Sequence, residues 1–380
     1  MAANSLSNIV PQILEGALDT LREQAIMPRL VNRVYESSAG EFGSTIDIPV
    51  PAALTTTAVT GGLTHSEGDI QSVSPGLVSI EMDQWREVKV AMTDREMLEA
   101  RGDALPMAIE EGVKSLANYI DSYILNLGKS FYGYVDPAGS ELFSNISDVA
   151  DARALLNAQL APMENRRCVL SPQAEAQALS LEAFHNAQFG VGASAILEGR
   201  VERRLGADWF MDQNVPSFTA GASAGETDVA VDNVGGYAAG ATTIHMDEAT
   251  GNLELVEGDI ISFAGHDQTY VVTAAFTGAQ EHDVTIQPAL TAAVADDEAV
   301  TIRPSGDLNM MFHRDAIAFV TRPLGRVATP GSEVFVQEDP ISGLAIRGEL
   351  SRANKRNILS LDVLFGAAVL RRDLGVRFGA

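Results

Sequence analysis

The chain has 380 residues, 46% of them hydrophobic and 20% charged, with a formal charge of −25 at pH 7. That length and composition describe a folded protein with two or three cores, and no apolar run approaches the about 18–20 residues of a membrane helix. The acidic excess argues against general nucleic-acid affinity, which needs Lys and Arg to meet phosphate, and a single cysteine, Cys168, excludes an internal disulfide and a cysteine-rich metal site.

The opening stretch MAANSLSNIVPQILEG has no basic patch ahead of a signal-like apolar core, so no export is expected. Asn8 to Met27 reads as a helix with Ile9, Ile13, Leu14, Ala17, Leu18, Leu21 and Ala25 on one face, Ser7 or Asn8 as cap and Pro11 early enough to be tolerated. Such a helix packs on its own domain or lies as an arm on a neighbouring subunit or assembly factor. Gly43 to Met92 turns extended. GSTIDIPVP alternates, TTTAVTGGLT is β-branched and turn-rich, and GLVSIEMDQWREVKVAMT carries two more alternating runs. This predicts a long two-stranded excursion and a return strand. Its Thr, Ser and Gly content buries little on its own subunit, so another chain braces it or it moves.

Thr93-Asp94-Arg95-Glu96 fits a capping box, in which a hydroxyl and a carboxylate satisfy free backbone N–H groups. A longer helix is predicted from about Leu105 to Leu127. Val113, Leu116, Ile120, Ile124 and Leu127 form its apolar stripe, Glu110, Lys114, Asn118 and Asp121 are more polar, and Gly112 marks a bend or close crossing. Shorter helices follow at Asp148 to Leu160 and Pro172 to Leu181. The strand Arg167 to Leu170 lies between them, and Ser171 caps the second.

Ser217 to Ser305 differs in kind, with fourteen Asp/Glu against one base, Arg303; from Gly306 onward eight acids meet ten bases. Alternating strands are predicted at Asp228–Asp232, Thr242–Met246, Leu253–Ala264, Gln268–Ala275, Asp283–Gln287 and Ala299–Arg303. Six short strands at near-regular spacing suggest a small closed antiparallel barrel. The chain then closes with MFHRDAIAFVTRPL, VFVQEDPISGLAIRGEL and LDVLFGAAVLRRDLGVRF, read as several short strands.

Candidate chemistry is thin. Gly221-Ala222-Ser223-Ala224-Gly225 matches the GxSxG nucleophile pattern, but that motif needs a strand entering and a helix leaving, whereas here a linker leads into a strand. His245 with Asp247 and Glu248, and His282 with Asp283, seed a metal site on paper; no HExxH or paired-His spacing supports one, and the same holds for His65, His185, His266 and His313. The acidic turns lack EF-hand spacing. Gly235 to Ala241 has the wrong spacing for a dinucleotide fingerprint, and Asn145-Ile146-Ser147 matches a glycosylation acceptor only by chance. Arg314, Arg322, Arg326, Arg347, Arg352, Arg356, Arg371, Arg372 and Arg377 alternate with apolar positions. They read as solvated faces and local ion pairs, with a few at a subunit interface and a shell lining near DNA as the other reading. The prediction is therefore no enzyme, with no catalytic, cofactor or metal residues.

The HRDAIAF-TRPL run, the ISGLAIR strand, the LDVLFG turn and the VLRRDLGVR ending resemble the closing segment of tailed-bacteriophage major capsid proteins. The order of N-terminal helix, GSTIDIP, GLVSIEMDQWREVKVAMTDRE, long helix and RRCVLSPQAEAQAL resembles them throughout. GDIISFAG resembles the extra barrel inserted in one short-tailed-phage subgroup. The resemblance implies an α+β Hong Kong-type capsid fold. Its parts would be an N-terminal arm (1–42), an extended loop and return strand (43–92), a peripheral domain with spine helix (93–140), the first part of an axial domain (141–216), an inserted acidic β-barrel (217–305) and a closing axial/peripheral part (306–380). It implies self-assembly into an icosahedral shell around double-stranded DNA, in the virion after assembly in a host cytoplasm. Scaffolding protein and portal would be partners, DNA would be enclosed without sequence-specific binding, and no membrane would be involved. The alternatives are an encapsulin-like cargo shell and, remotely, a serine hydrolase using Ser223.

Overall fold

In the computed structural model the described residues are 25–35, 45–50, 76–93, 104–137, 142–181, 184, 203–322, 324–325, 332–338 and 344–379. The chain is mixed α+β and mostly strands. Helix α1 is Met27–Leu30, α2 Ala104–Asn126, α3 Ser147–Ala158 and α4 Pro172–Ser180. The last three lie within two residues of their sequence-predicted bounds at each end. Ser171 caps α4 as expected, its Oγ accepting from the Ala174 N–H at 3.4 Å.

The main core forms between α2 and two sheets. One sheet runs in the order 133–135, 375–378, 310–313, 166–170, 208–211, with parallel pairs at both edges and antiparallel pairs inside. Val149, Ala152 and Leu156 of α3 and Ala174 and Ala178 of α4 complete this core. The other sheet is built on Arg356–Val369, a fourteen-residue strand that pairs antiparallel with 84–93, 345–353 and 317–321. Helix α2 crosses it closely. A Cβ at Gly112 would stand 2.7 Å from Val88 Cγ1, so the glycine marks a crossing. Tyr119 and Tyr123 meet the ring of Phe365 edge-on at 6.3 and 5.5 Å. Phe365 is fully buried and contributes about 1.5–3 kcal/mol by burial alone.

Strands 45–50 and 76–81 form an antiparallel pair, as predicted, with Ile46, Ile48, Ile80 and Met82 packed on Ala318 and Val320. Residues 51–75, the tip of that excursion, lie outside the described residues, as do the capping residues after Thr93.

A separate apolar core belongs to the acidic segment. Six antiparallel strands run in the order 300–302, 260–263, 270–272, 281–287, 243–248, 229–231. An Ala230–Ala299 bridge, with Val231 N–H donating to the Glu298 carbonyl at 3.0 Å, nearly closes the sheet into a barrel. The incoming strand 217–218 and outgoing strand 306–307 pair side by side beneath it.

Several expectations change. Residues 8–24 of the predicted first helix lie outside the described residues; Ala25 and Ile26 are not helical, and α1 starts at Met27 with Pro28 in its first turn. The strand expected at Leu253–Ala264 is broken after Leu255, where Gly258 takes φ +103° and Asp259 accepts the Val256 N–H at 2.7 Å. FTGAQEHD is no simple turn; Phe276–Ala279 pairs antiparallel with 253–255 as a separate two-stranded sheet. The strand Asp208–Met211 had no alternation to announce it. LDVLFG is strand, not turn, and the C-terminal segment holds one long strand among its short ones. Its glycine serves packing: a Cβ at Gly366 would lie 2.2 Å from the Glu81 carbonyl oxygen.

Candidate functional site

Sequence position and spatial position diverge most for the chemistry-bearing side chains. Ser223 sits in a turn of the barrel module, almost fully buried. Its hydroxyl donates to Glu248 Oε2 at 2.5 Å and accepts the Glu254 N–H at 2.8 Å. No helix leaves this turn, and the hydroxyl closes a strand junction, so the nucleophile reading fails on geometry.

The histidines scatter. His65 and His185 lie outside the described residues. His266 meets the Tyr270 hydroxyl at 3.0 Å, and His282 stacks on Phe276 with ring centroids 3.6 Å apart. His313 is buried in the core sheet and accepts the Asp315 N–H; burial holds its pKa below the usual value. His245 is not joined by Glu248, which faces inward. It lies instead beside Asp232, Glu281 and Asp283 on the outer barrel face. Gly235 to Ala241 holds a Tyr237–Val294 bridge, and Asn145 accepts the Ser147 N–H at the start of α3. Cys168 is fully buried in the core sheet, and burial pushes its thiol well above the ordinary value.

Three charged side chains are interior, two of which, Arg377 and Asp121, the sequence placed at polar positions. Arg377 is 6% exposed, on the last strand. It donates to the Gly258 carbonyl at 2.7 Å and the Lys129 carbonyl at 3.4 Å, and its guanidinium lies 4.8 Å from the Phe218 ring centroid. It thus joins the core sheet to the barrel, and burial lowers its pKa to about 10. Asp259, in the barrel's broken strand, accepts the Val256 and Gly221 N–H groups; burial raises it to about 6. Asp121 of α2 accepts from Ile26 N–H at 3.0 Å and Met27 N–H at 2.9 Å, holding the start of α1. Burial, then the nearby charge of Asp212, raises it to about 7. Arg303 bridges barrel to core through Asp136 at 2.8 Å, and Lys129 does so through Glu257 at 3.3 Å.

The open face of the second sheet carries a groove of about 600 Å³ lined by Trp85, Glu87, Lys89, Arg347, Glu349, Ser351, Ile358 and Ser360. Trp85 is 58% exposed, and its Nε1 donates to Asp362 at 2.7 Å. Arg347 grips the same carboxylate with two hydrogen bonds at 3.0 and 2.5 Å, so this arginine forms the local ion pair expected of it. Arg371 pairs with Asp373, and Arg372 reaches Gln287 of the barrel. Arg326 lies outside the described residues. Exposed Leu77, Leu160 and Met163 add apolar surface elsewhere. No helix of the described residues is long and apolar enough to cross a membrane.

No known family profile matches the chain, and no curated protein sequence does. Among solved structures, one from Mycobacterium phage Che8 aligns over 93% of this chain and 91% of its own, at 16% identity and a TM-score of 0.52. The chain has the fold of that phage structure. A capsid structure of the cyanophage P-SCSP1u aligns over 89% of this chain and 84% of its own at 13% identity and TM-score 0.47. A structure from Gordonia phage Cozz aligns over 94% and 86% at 12% and 0.48.

Proposed function

We propose that the chain is the major capsid protein of a tailed phage, assembling with copies of itself into the icosahedral shell that encloses double-stranded DNA. The observation that carries this reading is the fold shared with the Mycobacterium phage Che8 structure over nearly the whole of both chains. The capsid-protein resemblance of the sequence and the distribution of surface support it. A fold that leaves Trp85 and Leu77 in solvent, the latter on the antiparallel pair 45–50 and 76–81, offers contacts for other copies. Each contact is modest, and closure of a symmetric shell multiplies them through effective concentration.

In this reading residues 1–42 form the arm, 43–92 the extended loop and return strand, and 93–140 the peripheral domain with α2 as spine. Residues 141–216 and 306–380 form the axial domain and closing part, and 217–305 the inserted barrel. The barrel serves as a folding and stability module and a surface feature. Scaffolding protein and portal act as assembly partners in the host cytoplasm. Expression of the chain with and without a scaffold, followed by electron microscopy, tests the proposal. Closed shells are expected; a monomer that never assembles under either condition overturns it. Shells that form without scaffold or portal and fill with protein favour the encapsulin-like reading.

A further inference from the structure

We propose that the outer face of the barrel binds a divalent transition metal of the zinc class through Asp232 Oδ2, His245 Nε2 and Glu281 Oε2. The three come from different parts of the barrel wall. His245 lies on strand 243–248, Glu281 opens strand 281–287, and Asp232 follows strand 229–231, its N–H bound to the His245 carbonyl at 3.1 Å. The three donor atoms lie within 4.8 Å of one another.

The imidazole is aimed. Asp283, directly across the ladder, binds Nδ1 at 2.8 Å. A carboxylate on Nδ1 holds the proton there and leaves the lone pair of neutral Nε2 facing outward, the arrangement that orients metal-binding histidines. Nε2 stands 4.0 Å from Asp232 Oδ2 and 3.9 Å from Glu281 Oε2, too far for hydrogen bonds. Ligand atoms about 2.0–2.1 Å from a tetrahedral zinc lie about 3.3–3.4 Å apart, so the site needs only a small inward closure. Asp232 and Glu281 have side chains 50% and 64% exposed and are free to make it.

The charge balance points independently to a cation. Arg303, the only Lys or Arg between Ser217 and Ser305, is committed to Asp136 in the core domain. On this face four carboxylates, those of Asp232, Asp247, Glu281 and Asp283, surround one imidazole. A nitrogen donor beside few oxygens selects zinc-class ions over calcium, which takes six to eight oxygens.

The full chain, stripped with a chelator, would be titrated with Co²⁺ followed by absorption and with Zn²⁺ by calorimetry. A saturable site of one ion per chain is expected, with Co²⁺ displaced by Zn²⁺. His245→Ala should abolish it, and Asp283→Asn should weaken it roughly 10–100-fold. His266→Ala should leave it unchanged. If His245→Ala misfolds, Glu281→Gln, at an exposed side chain, carries the test and should weaken binding. No saturable binding up to millimolar metal, equal affinity after His245→Ala, or Ca²⁺ bound as tightly as Zn²⁺ would each overturn the site.

Discussion

Arg377 offers the sharpest test of how the barrel is held. Its replacement by methionine keeps most of the side-chain volume and removes the charge. Lost with it are the charge-assisted hydrogen bonds to the Gly258 and Lys129 carbonyls, worth about 1.5–3 kcal/mol, and the contact with the Phe218 ring, worth about 1–2 kcal/mol when desolvated. Asp259 also loses the cation that draws its pKa down. Together these losses put the destabilisation of the barrel–core junction by Arg377→Met at about 2.5–5 kcal/mol. Asp259→Asn in the same background removes the stranded charge. The amide oxygen can replace Oδ2, which already serves both Val256 N–H at 2.7 Å and Gly221 N–H at 3.2 Å. The double variant should therefore recover about 1–3 kcal/mol relative to additivity. A chain with two cores need not unfold in one step. Hydrogen exchange of the amides around Lys129, Gly258 and Arg377 is therefore the assay. An Arg377→Met effect under about 1 kcal/mol, or strict additivity of the two changes, would refute the coupling.

Asp259 and Asp121, at about 6 and about 7, lie above the usual carboxylate value, so the folded chain binds more protons than the unfolded chain between about pH 4 and 7. Their stability contribution is greatest below about pH 4 and is lost as pH rises through those values. In denaturant titrations, Asp259→Asn should flatten that part of the pH profile, and a wild-type profile shared by the variant would contradict it. Asp121→Ala strands the buried Met27 N–H, at about 1–3 kcal/mol, and the half-buried Ile26 N–H, and should raise proteolysis around Ile26 and Met27 while leaving the barrel protected. Gly366→Ala drives a methyl into the Glu81 backbone and should disturb the 76–81 strand, seen as lost amide protection there; unchanged protection would remove the argument. Cys168 should resist aromatic disulfide reagents in the native chain and react fully on unfolding.

Much of the fold was legible because it rests on local periodicity. The stripe of Val113, Leu116, Ile120 and Ile124 placed α2, and the alternation of TIDIPV, VTI and IHM placed edge and barrel strands. Gly112 announced a crossing because an exposed helix gains nothing from glycine. LDVLFG misled because its glycine serves a backbone from another strand, a reason that does not show in its own segment.

The residues that position the modules were hidden for the same reason. Asp121 looked like the polar edge of an amphipathic helix, yet its partner is 95 residues away at Ile26. Arg377 looked like one more arginine alternating with apolar neighbours, yet it reaches Gly258 across 119 residues. A charge at a strand position reads as solvent-facing unless a distant backbone carbonyl meets it, and only the tertiary arrangement supplies that carbonyl. His245 follows the same logic on the surface. Its sequence neighbours Asp247 and Glu248 were the obvious partners, but strand pleating turns Glu248 to the interior. Register brings Asp283 across from it instead, and the end of a third strand brings Asp232. Period-two geometry makes a ladder partner a better guess for a strand histidine than its neighbour in sequence. Applied to the acidic segment, that rule would have paired His245 with Asp283 as soon as the register of strands 243–248 and 281–287 was known.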